Sequence, residues 1–379
     1  MTKKELNHFY KFNIKRSSHF LNFRQINSNY LSSLFCFSLY VLVFFFPIFF
    51  LINNILPRKS YSGNIAFVFS RNQKIVAFLL KENFGYRIYD WSTSTFSEKI
   101  NFFIAFGAEI HLFRLITEIN NHEVIRSNLI NVIKTIGFYN YVKRSEIKNV
   151  TSYYQFNDHS PINFGLEHLF RSQEIKTIYI QHAPVSIEFP PLYHSINLLF
   201  SEDSKVKYQI SKRCEEVKII CDPRFAFHRP HMINSSKKNV LLCPNLLDVK
   251  SEVLATADAF IALNFSVLIR KHPGDKSQWP GLYSYSKNQS IWSDLENNFW
   301  VITNESAVPL EAIYNGNLCF KSAFWYKSFD AYGFLKSSLI IKEYYHLNDL
   351  VIGVTSNEVT FDKGKLEYYI GNPNSLKWI

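Results

Sequence analysis

From Gly63 onward, short runs of buried-type side chains alternate with amphipathic stretches, a rhythm that predicts βαβ units around a doubly wound sheet. Asn64–Ser70 (NIAFVFS) predicts a first buried strand, and Asn72–Lys81 the helix after it. Thr151–Gln155, Thr177–Ile180, Ile196–Phe200 and Val217–Ile220 predict further strands, with Phe164–Ser172 helical between the first two. A second series opens at Asn239–Cys243 (NVLLC) and continues through helix Val249–Leu263 and strands Ser266–Arg270 and Phe299–Thr303. Helix Ala307–Tyr314, with Asn315-Gly316 as its C-cap, and strand Leu318–Lys321 complete it. Cys221–Lys238, rich in Pro, His, Ser and Asn, predicts a linker. The expected fold class is therefore α/β, with Rossmann-like domains at 61–220 and 239–379 joined by residues 221–238 and facing a cleft.

The first 60 residues follow a different rule. No charged side chain occurs from Gln25 to Pro57, and Leu31–Ile52 is nearly all Leu, Phe, Val and Ile. At about 1.5 Å per residue, such a stretch is long enough to cross a hydrocarbon core of about 30 Å. Pro47 inside it predicts a kink or break, so the alternatives are a spanning helix and a re-entrant or interfacial hairpin. Residues 1–60 hold eight Lys or Arg against one acid, Glu5, a local charge of +7 out of the total of +11. A basic margin beside an apolar segment suits anionic lipid head groups and argues against nucleic acid as the partner. Basic residues ahead of the segment favour a cytoplasmic N-terminus, which would put the body outside if the helix spans. The chemistry of the polar clusters in the body overrides that rule and predicts an inner-membrane protein with its body on the cytoplasmic face.

Hydrophobic residues at 47% and charged residues at 19% allow a packed core. The 36 Phe and 22 Tyr read as compositional drift more than function. Five scattered cysteines, without a C-x-x-C pair, argue against a disulfide framework or a zinc ribbon. The chain has no G-x-G-x-x-G, no G-x-x-x-x-G-K-[ST], no G-x-S-x-G and no Asp-x-Asp, which weakens nicotinamide, P-loop, hydrolase and metal-bridged nucleotide-sugar readings. No metal or other cofactor is expected.

Three polar clusters come directly after strands instead. Gln181-His182-Ala183-Pro184 puts a histidine at a strand's carboxyl end, where a near-neutral pKa suits it to take a proton from a hydroxyl; a hydrogen-bonded loop histidine is the alternative. Arg270-Lys271-His272-Pro273-Gly274 sets three cationic donors on a Pro-Gly turn, a seat for a phosphate. Thr303-Asn304-Glu305-Ser306 opens a helix whose free N–H groups form an anion site, although Ser and Asn are also ordinary caps. Glu311, about one and a half turns further on, is spaced to reach a ribose. Asn157-Asp158-His159-Ser160 is a fourth cluster, in which Asp158 is either a base, a partner orienting His182, or part of a simple turn. His228 and His231 lack the acidic neighbours of a metal site.

Together, the Gln-His after an N-domain strand, Arg-x-His-Pro, and Thr-Asn-Glu-Ser leading into Leu-Glu-Ala-x-x-x-Gly resemble bacterial GT-B glycosyltransferases of surface polysaccharide synthesis. The nearest groups are CMP-sugar-dependent sialyl- and Kdo-transferases and teichoic-acid glycerophosphotransferases. The resemblance covers roughly residues 150–325. It implies an N-terminal acceptor domain and a C-terminal donor domain. It further implies that Arg270, His272, Pro273, Thr303, Asn304, Ser306 and Glu311 form the donor site, with His272 and Ser306 on the phosphate and Glu311 on the ribose. His182 or Asp158 would activate the acceptor hydroxyl. The expected partners are a nucleotide-activated sugar, a lipid-linked or polysaccharide acceptor of capsule, lipopolysaccharide or O-antigen synthesis, and the membrane. Two alternatives are transfer of a polyol phosphate from a CDP-activated donor and a non-catalytic scaffold in a polysaccharide assembly.

Overall fold

Ile65–Val68 carries apolar side chains on both faces, and a strand so built lies within a sheet covered on both sides. In the computed structural model it forms the end of β1 (Ser60–Val68). The structure describes residues 44–56, 58–93, 95–108, 129–157, 161–185, 191–208, 214–230, 238–327, 332–334, 342–356 and 365–373. β1 pairs in parallel with β2 (Arg87–Asp90) and β3 (Glu146–Gln155), and β3 with β4 (Lys176–Ile180). β5 (Ile196–Leu199) and β6 (Glu216–Ile219) complete a six-stranded sheet in the order β2-β1-β3-β4-β5-β6.

Phe67 points into a cluster of rings from Tyr61, Tyr89, Trp91, Phe138, Tyr153 and Phe170, with centroids 5.4 to 6.3 Å away. The aromatic excess thus has a structural use, since such pairs add about 0.5–1.5 kcal/mol each beyond buried area. Helices Phe96–Gly107 and Leu129–Arg144 close this face, and helix Arg71–Phe84, buried through Val76, Ala77 and Leu80, covers the other. Ser70 caps that helix, and Gly85 ends it with φ +61°, a conformation open to glycine at no steric cost.

The apolar N-terminal segment lies outside the described residues up to position 43. Its described remainder forms a helix, Phe46–Ile55, with no buried residue. Pro47 falls in the first turn of this helix, where its missing N–H costs nothing. Among the described residues, no helix is long and apolar enough to cross a membrane. Phe49 packs edge-on against Phe103, and the Arg144 guanidinium donates to the Asn53 side chain and the Leu56 carbonyl, both at 2.6 Å.

The second sheet is parallel throughout, in the order β12-β11-β10-β7-β8-β9. Its strands are β7 (Asn239–Cys243), β8 (Ser266–Ile269), β9 (Ser284–Tyr285), β10 (Trp300–Thr303), β11 (Leu318–Ser322) and β12 (Glu343–Tyr344). One face buries Val240, Leu242, Ile269 and Ile302 against Val253, Ala257 and Phe260 of helix Lys250–Ala262. Helix Val308–Asn315 packs on β10 and β11.

The chain divides into two compact units, the first comprising residues up to His182 with Pro190–Asn197 and Ile210–Val217, the second the remainder. The expected linker 221–238 is, over its described residues 221–230 and 238, part of the second unit. Asp222 N–H donates to the Ile370 carbonyl at 2.9 Å, and the Tyr314 hydroxyl donates to the carbonyls of Phe225 and His228 at 2.9 and 3.1 Å. Asp222 caps a short helix, Pro223–Ala226, that buries Phe225 among Trp292 and Tyr314. Pro223 and His228 are here residues of a packed corner.

Candidate functional site

In the second sheet the chain passes from β7 to β8 on one side, while β10 pairs with β7 on the other. Ligands of open α/β sheets bind beyond the carboxyl ends of the strands at such a switch point. The loops there are Pro244–Asp248, Arg270–Gly274 and Asn304–Ser306, two of them singled out in the sequence.

Their hydrogen bonds separate frame from contact. Thr303 Oγ1 donates to the Cys243 carbonyl at 3.2 Å, and Asn304 Nδ2 donates to Asp248 Oδ1 at 2.7 Å and to the Tyr326 carbonyl at 2.8 Å. Asn245 N–H donates to Asp248 Oδ2, and Asn245 Nδ2 to the Glu305 carbonyl. Thr303 and Asn304, expected on the donor, are thereby committed to locking the β7 and β10 loops together. Burial pushes the Asp248 carboxyl up to about 6, against the two hydrogen bonds that pull it down. Asn245 and Asp248 were missed in the sequence; an Asn-x-x-Asp turn directly after a buried strand was the available signal. Glu305 is held by Lys321 at 3.1 Å, and Lys321 is also paired with Glu343 at 3.1 Å. Burial alone would lower the Lys321 pKa; the two carboxylates outweigh it and raise the value.

Arg270 departs most from expectation. Its guanidinium donates to Asp294 and Ser286 and to the carbonyls of Asn288, Gln289 and Ser290. It stitches the β9 loop to helix Ile291–Leu295. His272 is exposed, and its Nδ1 accepts from Gly274 N–H at 3.0 Å. In the neutral ring Nε2 therefore carries the hydrogen. Partial shelter from water lowers the His272 pKa, which favours that neutral, single-donor form. Pro273 shapes the exposed turn presenting it. Ser306 Oγ accepts from Val308 N–H at 3.2 Å, which leaves its hydroxyl hydrogen to donate ahead of helix Val308–Asn315, where Pro309 has no N–H and Leu310 N–H donates to the Ala307 carbonyl at 3.0 Å. Glu311, on the first turn of that helix, is buried. Burial pushes its carboxyl up to about 6, and Arg224 at 3.5 Å is the largest opposing influence.

His182 comes two residues after β4, half-buried, in the first unit. Asp158 lies outside the described residues, as do His159, Ser160 and His231. His228 stacks on Trp292 with ring centroids 3.8 Å apart, a packing role. Among the described residues, no group of three or more His, Cys, Asp or Glu stands ready to hold a metal ion.

No protein-family model matches the chain, and no curated protein matches it. Solved structures similar to it include the glycotransferase of kitacinnamycin, at 11% identity and TM-score 0.48 over 85% of this chain and 96% of that one. MurG of Acinetobacter baumannii is similar at 12% identity and TM-score 0.46, over 84% and 97% of the two chains. The wall teichoic acid polymerase TagF is similar at 11% and 0.48, over 92% and 95%. Likeness at this level carries no conclusion about what this chain does.

Proposed function

We propose that this chain is an inverting, metal-independent glycosyltransferase of GT-B type. It takes a sugar from a nucleotide donor, CMP-activated by the resemblance of its motifs, to a lipid-linked or polysaccharide acceptor at the cytoplasmic membrane face. The observation that carries the reading is the presence, after β8 and β10 of the second sheet, of two side-chain donors, the neutral single-donor His272 and the Ser306 hydroxyl ahead of helix Val308–Asn315. Hydrogen bonds to a charged leaving group strengthen as its charge develops, and that is what the departing nucleotide phosphate requires. His182 is assigned the acceptor's proton, on its place beyond a buried strand. The absence of any Asp-x-Asp supports catalysis without a divalent ion. Membrane attachment is supported by helix Phe46–Ile55, which buries none of its residues and exposes Phe44 at 83%, Leu51 at 61% and Ile55 at 73% beside it and along it.

The test is donor turnover by the full chain on a panel of CMP-, CDP-, UDP- and GDP-activated compounds, with and without chelator. Chelator-insensitive release of CMP from a CMP-sugar is the expected result. Release from CDP-glycerol instead would move the reading to polyol-phosphate transfer, and no nucleotide binding at all would favour a scaffold. His182→Ala should cost about 10²–10⁴-fold in turnover with donor affinity little changed. An active His182→Ala beside a dead Asp158→Asn would hand the base role to the carboxylate.

A further inference from the structure

Segment 222–226, which sequence composition marked as linker, reaches the candidate donor site through one side chain. Asp222 grips Arg224 from both oxygens, with Nε at 3.0 and 3.1 Å, a further bond from Nη2, and the Arg224 backbone N–H at 3.0 Å. That grip leaves Nη1 facing Glu311 Oε1 at 3.5 Å. The second Glu311 oxygen, Oε2, is buried with no hydrogen-bond partner. A carboxylate oxygen buried without a donor is costly unless a ligand supplies one, and a sugar hydroxyl is the donor of matching chemistry.

We propose that Arg224 is a positioning residue, aiming and charging Glu311 so that Oε2 accepts a hydroxyl of the donor nucleotide's ribose. This rests on the reading of the second unit as the nucleotide site. The other groups facing Glu311 are Asp222 on the Arg224 segment, Arg270 after β8, Cys243 at the end of β7, Cys319 in β11 and Tyr332. Burial raises the pKa of both thiols and of the phenol, so all three stay neutral near pH 7. Arg270 is already paired with Asp294, and Asp222 opposes ionisation of Glu311. Arg224 is therefore the main group holding Glu311 ionised at neutral pH.

The experiment is calorimetry of the full chain with CMP and with its 2′,3′-dideoxy counterpart from pH 5 to 8.5. The ratio of the two affinities cancels titration of the phosphate. Wild type should prefer CMP by about tenfold or more near pH 7.5, the worth of a hydrogen bond to a charged group. That preference should fade as pH falls through about 6, where Glu311 takes up its proton. Glu311→Gln should lose the preference at every pH. Arg224→Gln should move the fade to higher pH, so that the preference shrinks at pH 7 and returns at pH 8.5. Arg224→Lys should restore a profile near wild type. A general loss of structure would instead lower both affinities together and leave their ratio and its midpoint unmoved. Arg224→Gln with the wild-type profile overturns the positioning role while leaving Glu311 its ribose; if that variant does not fold, a lost preference in folded Arg224→Lys overturns it equally. An unchanged preference in Glu311→Gln, or no CMP binding by wild type, overturns the ribose reading and the proposal with it.

Discussion

His272 engages its two ring nitrogens differently, one accepting from Gly274 N–H and the other left to carry hydrogen. Removing it should therefore delete one donor to an anion and little else. A hydrogen bond to a charged partner is worth about 1.5–3 kcal/mol, so His272→Ala and Ser306→Ala should each weaken CMP binding about ten- to a hundred-fold. Circular dichroism should be unchanged, since neither side chain is buried in the core. Unchanged affinity in both variants would move the phosphate seat elsewhere. Because His272 donates as a neutral ring, its contribution should persist at pH 8, where a histidine acting through positive charge would have lost its effect.

Elements in this fold meet at points that tolerate no added atom. Gly137, in helix Leu129–Arg144, faces helix Phe96–Gly107 so closely that a Cβ would stand 2.1 Å from the Phe102 carbonyl oxygen. Alanine there gains up to about 1 kcal/mol of helix propensity, yet the clash with backbone should cost more, so Gly137→Ala should lower the melting temperature. A melting temperature at or above wild type would mean that the two helices separate easily. In the second unit, Arg270 and the fully buried Asp294 form an ion pair whose loss from one side strands a charge. Arg270→Met should destabilise by about 3–5 kcal/mol in a denaturant titration. If Arg270 were instead a phosphate ligand, the same variant would keep its stability and lose nucleotide affinity.

At the scale of the whole molecule, exposed apolar side chains lie on the described start of the chain and on the helix it packs against. Phe44, Ile48, Leu51 and Ile55 are exposed, as are Phe96 and Ile100 of helix Phe96–Gly107, against which helix Phe46–Ile55 packs, and a basic sequence precedes them. Apolar insertion with attraction to anionic head groups binds an interface. The full chain should therefore sediment with phosphatidylglycerol vesicles, and Ile48→Asp with Leu51→Asp should reduce the bound fraction severalfold without unfolding the body. Equal sedimentation of the double variant would sink this surface as the attachment point.

Periodicity made the strands legible. Buried parallel strands are continuous apolar runs, and Asn239–Cys243 occupies the same residues in the fold as in the pattern. Helix ends were legible to within a few residues where caps are local, as at Ser70 and at Gly316 with φ +94°. Short edge strands such as Ser284–Tyr285 and Glu343–Tyr344 were not, because two residues carry no period. Neither were helices Phe96–Gly107 and Leu129–Arg144, whose apolar residues run around more than one face. The sequence by itself determined that polar clusters come after buried strands, since chain order suffices for that. Only tertiary structure decided which members are committed to the frame. Arg270, Thr303 and Asn304 find partners at Asp294, Cys243 and Asp248, between 24 and 60 residues away along the chain. Arg224 likewise meets Glu311 across 87 residues, a contact that no local pattern encodes because only closure of the fold brings the two together.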